Sequence, residues 1–185
     1  DTAQLTNLTA DVMDGKINGN ATIAFSTRNR SEINADFSDL DIGKLLAIQG
    51  GRVVPIEGNT TGKVNLSFAG TNFKTASGNL FANINANAGT QEKGLIPVTG
   101  RVEATAINGL FNLDVARLNT EKSELSATGK FDLNGNNSNL NLALNSSDAS
   151  EIDRVIRVLN ISPELEQQLN DYQAEFAGNL NFNGN

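Results

Sequence analysis

Between Val98 and Leu144 the chain alternates apolar and polar residues and reverses at Asn-Gly pairs, which constrains its fold more than any other feature. Val98-Thr-Gly-Arg-Val-Glu-Ala-Thr-Ala-Ile107 runs into Asn108-Gly109, and Leu110-Phe-Asn-Leu-Asp-Val115 returns. Leu125 to Leu133 alternates again, Asn134-Gly135 turns, and Leu140-Asn-Leu-Ala-Leu144 follows. A type I′ hairpin turn needs positive φ at both central residues, which Asn-Gly supplies, and a period of two sends successive side chains to opposite faces. The segment therefore reads as an antiparallel meander with one apolar and one wet face. Its rhythm slips near Ala116, where a bulge is expected.

The flanking parts repeat the theme. Asp14-Gly15 is a second hairpin signature, after which Ile17, Gly19, Ala21, Ile23 and Phe25 share a face. Ile33 and Phe37 continue past a polar turn at Arg28-Asn29-Arg30. Val64, Leu66 and Phe68 form another alternating set, Leu80 and Ile84 the next, and Leu180 and Phe182 the last. Short amphipathic helices are predicted at about 41–48, 149–159 and 163–171. Their signals are Ile42, Leu45 and Leu46 at helical spacing, the stripe Ile152, Val155, Ile156 and Leu159, and the start signature Ser162-Pro163-Glu164. The pattern of strands, Asp-led helix, linker and closing strand occurs twice. It predicts two β-groove repeats, residues 1–94 and 95–185, joined as one continuous sheet across the small polar stretch from Asn87 to Gly94.

Chemistry is conspicuous by what is missing. The chain has no histidine and no cysteine, so the usual general base, the commonest metal ligand and any thiolate site are absent. The carboxylate pairs Asp39/Asp41 and Glu164/Glu166 stand at helix starts, where they complement the helix dipole. Asp132-Leu-Asn-Gly-Asn-Asn137 lacks the twelfth-position acid of a calcium loop. Neither an enzyme nor a bound cofactor or metal is expected. A formal charge of −7 argues against nucleic acid as a partner and against attraction to anionic lipid headgroups. Arg154 and Arg157 read as the wet side of a helix. No apolar run is long enough to span a bilayer as a helix. The chain reads as a piece of a longer protein.

The positive signal is the apolar face. Its candidate lining is Ile17, Ile23, Phe25, Ile33 and Phe37 in the first strands, then Val64, Leu66, Phe68, Leu80 and Ile84. Val102, Leu113, Val115, Leu125 and Phe131 follow, with Leu140, Leu142, Leu144, Leu180 and Phe182 last. Each such side chain loses about 1.5–3 kcal/mol if left in water, so something must cover the face. A closed β-sandwich adhesin or binding module would cover it with a private core. A scaffold offering an edge strand to an incoming β-barrel precursor would use the sheet differently. An aliphatic and Phe lining interleaved with Ala and Gly suits a third arrangement: a mainly β fold whose elongated, curved antiparallel sheet forms an open hydrophobic groove for acyl chains. Tryptophan is absent and tyrosine occurs once, which weighs against an aromatic carbohydrate platform.

Pro97-Val-Thr-Gly-Arg-Val-Glu-Ala104, Leu118-Asn-Thr-Glu-Lys-Ser-Glu-Leu-Ser-Ala-Thr-Gly-Lys-Phe-Asp-Leu133, Ser138-Asn-Leu-Asn-Leu-Ala-Leu144 and the Asp148-led helix resemble the AsmA-like superfamily, nearest its translocation and assembly module branch. Phe37-Ser-Asp-Leu-Asp-Ile-Gly-Lys-Leu-Leu46 resembles another element of the same proteins. The resemblance implies a β-taco segment of a periplasmic protein anchored in the inner membrane of a diderm bacterium. It implies phospholipid acyl chains as cargo passing toward the outer membrane, or a role in outer-membrane protein assembly. An outer-membrane BamA/TamA-type partner would be reached through other parts of the parent protein, since the anchor helix and partner-binding region of that superfamily find no match here.

Overall fold

The computed structural model describes residues 1–50, 56–86, 95–132, 138–148, 151 and 178–184. Strands β1 (Thr2–Val12), β2 (Gly15–Ala24) and β3 (Arg30–Asp41) lead to helix α1 (Ile42–Gly50). Then come β4 (Ile56–Glu57), β5 (Asn59–Ala69), β6 (Asn72–Asn85), β7 (Ile96–Pro97), β8 (Thr99–Ile107), β9 (Leu110–Asn119), β10 (Ser123–Asp132), β11 (Asn139–Ser146) and β12 (Gly178–Gly184). Ten of these strands form one sheet in the order β1-β2-β3-β5-β6-β8-β9-β10-β11-β12, every pairing antiparallel. The fold is the mainly β, curved antiparallel sheet that the alternation predicts, and β1 does not pair with β12 to close a barrel. Because β6 pairs with β8, the sheet continues across the 87–94 stretch.

Turn chemistry accounts for the hairpins. Asn108 and Gly109 have φ of 50° and 83° between the paired residues Ile107 and Leu110, as an Asn-Gly turn requires. The first hairpin differs from expectation by one residue: Val12 pairs with Gly15, and Met13 and Asp14 carry the positive φ. Gly15 serves close approach instead, since a Cβ there would lie 2.3 Å from the Ser38 carbonyl oxygen. The expected turn at Asn134-Gly135 lies outside the described residues.

Glycines on the apolar face of β2, β5, β6, β8 and β10 (Gly19, Gly62, Gly78, Gly100 and Gly129) let neighbouring strands press together, the device by which a sheet curls. At Gly62 a Cβ would stand 2.0 Å from the Phe81 carbonyl oxygen and 2.6 Å from Phe37 Cζ, so the Phe37 ring covers its cross-strand glycine.

The helix expected at 41–48 is α1. The Asp41 carboxylate accepts from Lys44 N at 3.0 Å, an N-cap bond. A hydrogen bond from Lys44 to Asp14, backed by the charges of Asp14 and Asp41, holds the Lys44 ammonium above the usual lysine range and pins α1 to the first turn. Ile42 packs inward, whereas Leu45 and Leu46 are about half exposed, so the predicted stripe is not the buried side. The helices expected at 149–159 and 163–171 lie outside the described residues except for Glu151, which is helical.

A small core sits at the α1 end of the sheet. Ile42, Ile84 and Val98 pack together with Ile56, Val102 and Leu118 around them. Here α1 and the two-residue parallel pair β4–β7 cover the sheet. Among the described residues no second sheet of comparable size lies over the rest, unlike the closed sandwich.

Candidate functional site

The register aligns apolar and small residues across the whole sheet. One row reads Leu8, Gly19, Ala35, Val64, Leu80, Ala104, Leu113, Gly129, Leu140 and Gly184 from edge to edge. Toward the α1 end, a second row runs Leu40, Thr60, Ile84, Gly100, Leu118, Leu125, Leu144 and Leu180. Between them stand Ala10, Ile17, Phe37, Gly62, Ala82, Val102 and Ala116. A fourth row contains Leu5, Ala21, Ile33, Leu66, Gly78, Ala106, Phe111 and Phe131. Leu142 pairs with Ala127, and Phe182 takes the register position opposite Leu142.

Eighteen of the twenty residues named from sequence lie on this face within the sheet's rows or in strand register with them; Val115, Phe25 and, among the eighteen, Phe131 need comment. Val115 is corrected: it pairs with Glu103, whose row continues through Phe81, Lys63, Asp36 and Asn18 on the polar face. The cause is one extra residue, Asp114, between the pairs Leu113–Ala104 and Val115–Glu103, so the alternation inverts and Ala116 takes the apolar side. Phe25 lies beyond the end of β2 and is 66% exposed, at the rim and not in the wall. Phe131 is in its row but also at the rim, 48% exposed.

Sequence reasoning missed Leu5, Leu8, Phe111 and Leu118. Leu5 and Leu8 are three apart, the wrong spacing for a regular strand. A bulge with Asn7 at φ 54°, its N–H bonded to Asn20 Oδ1 at 2.9 Å, brings both to the same side.

The degree of burial is informative. Phe68 and Ile84 are buried, but Ile17, Ile33, Phe37, Val64, Leu66, Leu80, Val102, Leu113, Leu125, Leu140, Leu142 and Leu144 are only half-buried. Residues sealed between two sheets lose nearly all contact with water. These keep part of theirs.

The opposite face is a polar lattice. Asn20, Asn34, Asn65, Asn79, Thr105 and Asn112 form one row across six strands, with Asn65 Nδ2 donating to Asn79 Oδ1 at 3.0 Å. Arg101 lies 5.0 Å from the Phe81 ring centroid, a cation–π contact. A concavity of about 270 Å³ lies on this face among Asp36, Lys63, Phe81 and Asn83. Another, about 470 Å³, adjoins the β9–β10 turn.

Beside that turn, buried Glu151 accepts hydrogen bonds from Thr120 Oγ1 at 2.8 Å and from the Ser123 hydroxyl, which also contacts Ser146 Oγ at 2.8 Å. The cluster clasps a turn. Thr120 Oγ1 in addition accepts from Ser123 N at 2.8 Å. Asp39 has φ 57° in a β3 bulge and Asp41 caps α1, so that carboxylate pair has structural work on two different elements. Among the described residues no group of histidine, cysteine or acidic side chains could hold a metal ion, and no helix is long and apolar enough to cross a membrane. Glu164, Glu166, Arg154 and Arg157 lie outside the described residues.

Comparison with protein-family models, with curated proteins and with solved structures gives no match to this chain.

Proposed function

We propose that the chain is a non-enzymatic lipid-holding segment whose apolar face cradles phospholipid acyl chains while the headgroups stay in water. The observation that carries this reading is a face apolar in register across ten strands yet only half-buried over most of its area. Nine inter-strand steps of about 4.8 Å make the face roughly 43 Å long. The hydrocarbon of one leaflet is about 15 Å thick, half of a ~30 Å bilayer core, so the rows have length for nearly three acyl chains end to end. The strand rhythm shared with the AsmA-like superfamily supports the same reading. It extends it to a periplasmic segment of a TamB-like, inner-membrane-anchored protein that passes phospholipid toward the outer membrane.

Photo-crosslinking in cells tests the proposal. A crosslinker at Leu66 or Leu80 is expected to yield lipid adducts, and one at the intervening polar-face positions Asn65 or Asn79 is not. Equal labelling of both faces, or protein adducts alone at Leu66 and Leu80, would remove the basis for the reading. Strand peptides captured from β1 would favour the assembly scaffold instead.

A further inference from the structure

The sheet's two rims differ in character. The long connections, with α1, β4 and β7, cross one rim, which also carries the β1–β2 and β9–β10 turns; the other, the hairpin rim, carries the β2–β3, β5–β6 and β8–β9 turns. On the hairpin rim, Gly70 N donates to Asn29 O at 2.9 Å and Gly109 N to Ala76 O at 2.8 Å, tying successive turns side by side. Asn108 N also donates to Ser77 Oγ at 2.9 Å. Hairpins two strands apart repeat about every 10 Å.

Four large apolar side chains project along this rim: Phe25 at 66% exposure, Phe73 at 45%, Ile107 at 75% and Phe131 at 48%. Exposed Arg28, Arg30, Lys74 and Lys130 stand beside them. None of these four cations has an ion pair among the described residues; Arg30 instead bonds Ser67 Oγ and O, both at 2.8 Å. Elsewhere, five of the six described cations (Lys16, Lys44, Lys63, Arg101 and Lys122, but not Arg117) are ion-paired. The acids near the rim are Asp1, Glu32, the buried Asp132 and Asp114, whose carboxylate is held by Thr105 and Asn112, whereas Asp11, Asp14, Asp39, Asp41, Glu57, Glu121, Glu124 and Glu151 gather toward the opposite rim. A chain of net charge −7 thus presents one cationic edge studded with apolar tips.

We propose that the hairpin rim docks on an anionic membrane surface, with Phe73, Ile107 and their neighbours entering the headgroup layer and Arg28, Arg30, Lys74 and Lys130 binding lipid phosphates. The whole-chain charge, which argues against such a surface, averages over two edges of opposite sign. Apolar anchors give membrane residence, basic neighbours give preference for anionic lipid, and the rim carries both without rearrangement. This docking does not depend on acyl chains occupying the apolar face.

The absence of cysteine allows a single Asn108→Cys substitution to carry an environment-sensitive fluorophore, with Asn79→Cys on the polar face as reference. Vesicles of phosphatidylcholine, with and without phosphatidylglycerol, are the probe. A blue shift at position 108 alone, with co-sedimentation only on phosphatidylglycerol-containing vesicles and release by salt, is the expected result. Each cation removed should weaken binding about fivefold, so Arg28→Glu with Lys74→Glu should weaken it by more than tenfold. Phe73→Ser with Ile107→Ser should abolish the blue shift; because Phe73 also packs edge to face against buried Phe68, Ile107→Ser alone should diminish it, with circular dichroism reporting the fold of both variants. Leu80→Asp should leave vesicle binding unchanged, which separates this proposal from acyl-chain holding. Failure to bind either vesicle, or binding indifferent to both rim pairs, overturns it. So does a position-108 shift produced without vesicles by self-association or by an acidic polypeptide.

Discussion

Leu80→Asp places a charge in the middle of the apolar face, between Val64 and Ala104. Leu80 is partly exposed in the free protein, so an acyl chain laid over it would cover at most about a third of a leucine, worth up to roughly 0.5–1 kcal/mol. Substitution forfeits that and sets a carboxylate against hydrocarbon, a penalty of about 2.5–3.5 kcal/mol at a bilayer centre and less where water reaches the site. The two together come to about 3–4 kcal/mol, or lipid held several hundredfold more weakly. The lipid-free protein should lose only about 1–2 kcal/mol of stability, because the new side chain still reaches water. Native mass spectrometry after equilibration with phospholipid reads occupancy, urea unfolding reads stability, and Asn79→Asp on the other face is the control. Two outcomes refute the reasoning: undiminished lipid on folded Leu80→Asp, or a stability loss beyond about 4 kcal/mol in a protein that holds no lipid. The second would describe a private core.

Gly62→Ala should destabilise by about 2–3 kcal/mol in chemical denaturation, since the added methyl would sit 2.0 Å from the Phe81 carbonyl oxygen; a change below about 0.5 kcal/mol would show that β5 and β6 yield easily. Removing the N-cap by Asp41→Ala should lower stability by about 1 kcal/mol and speed amide exchange in the first turn of α1, with Asp41→Asn largely restoring both. Glu151→Ala strips an acceptor from the Thr120 and Ser123 hydroxyls and should destabilise by about 1–3 kcal/mol. Glu151→Gln, which keeps an acceptor oxygen, should destabilise less, and equal losses would count against the clasp.

Period-two alternation is a local property, which is why most of the apolar face could be read without coordinates. Ile17, Ile33, Val64, Leu80, Leu125 and Leu140 each declare their side through their immediate neighbours. Val115 fails for the same reason: inserting Asp114 inverts every later side chain of β9, and only the pairing partner Glu103 reveals where the insertion falls. The turn residues show a similar limit. Asn108-Gly109 forms its turn where expected, whereas Gly15 answers to the backbone of β3 rather than to the hairpin. The pair β4–β7 is too short to leave any periodic trace. The cationic rim was hidden because Arg28, Lys74 and Lys130 are far apart in sequence and come to one rim only when the strands are assembled in order across the sheet.

Sheet order here follows chain order, so every strand of the large sheet, interior or edge, leans only on the one before it and the one after. Such a ladder has mostly short loops to close and can zip outward from any hairpin, with little entropic toll for long-distance matching. A lesion in β1 or β12 should then fray one end and spare the middle, so hydrogen exchange should grade inward from both edges and not collapse as one cooperative unit.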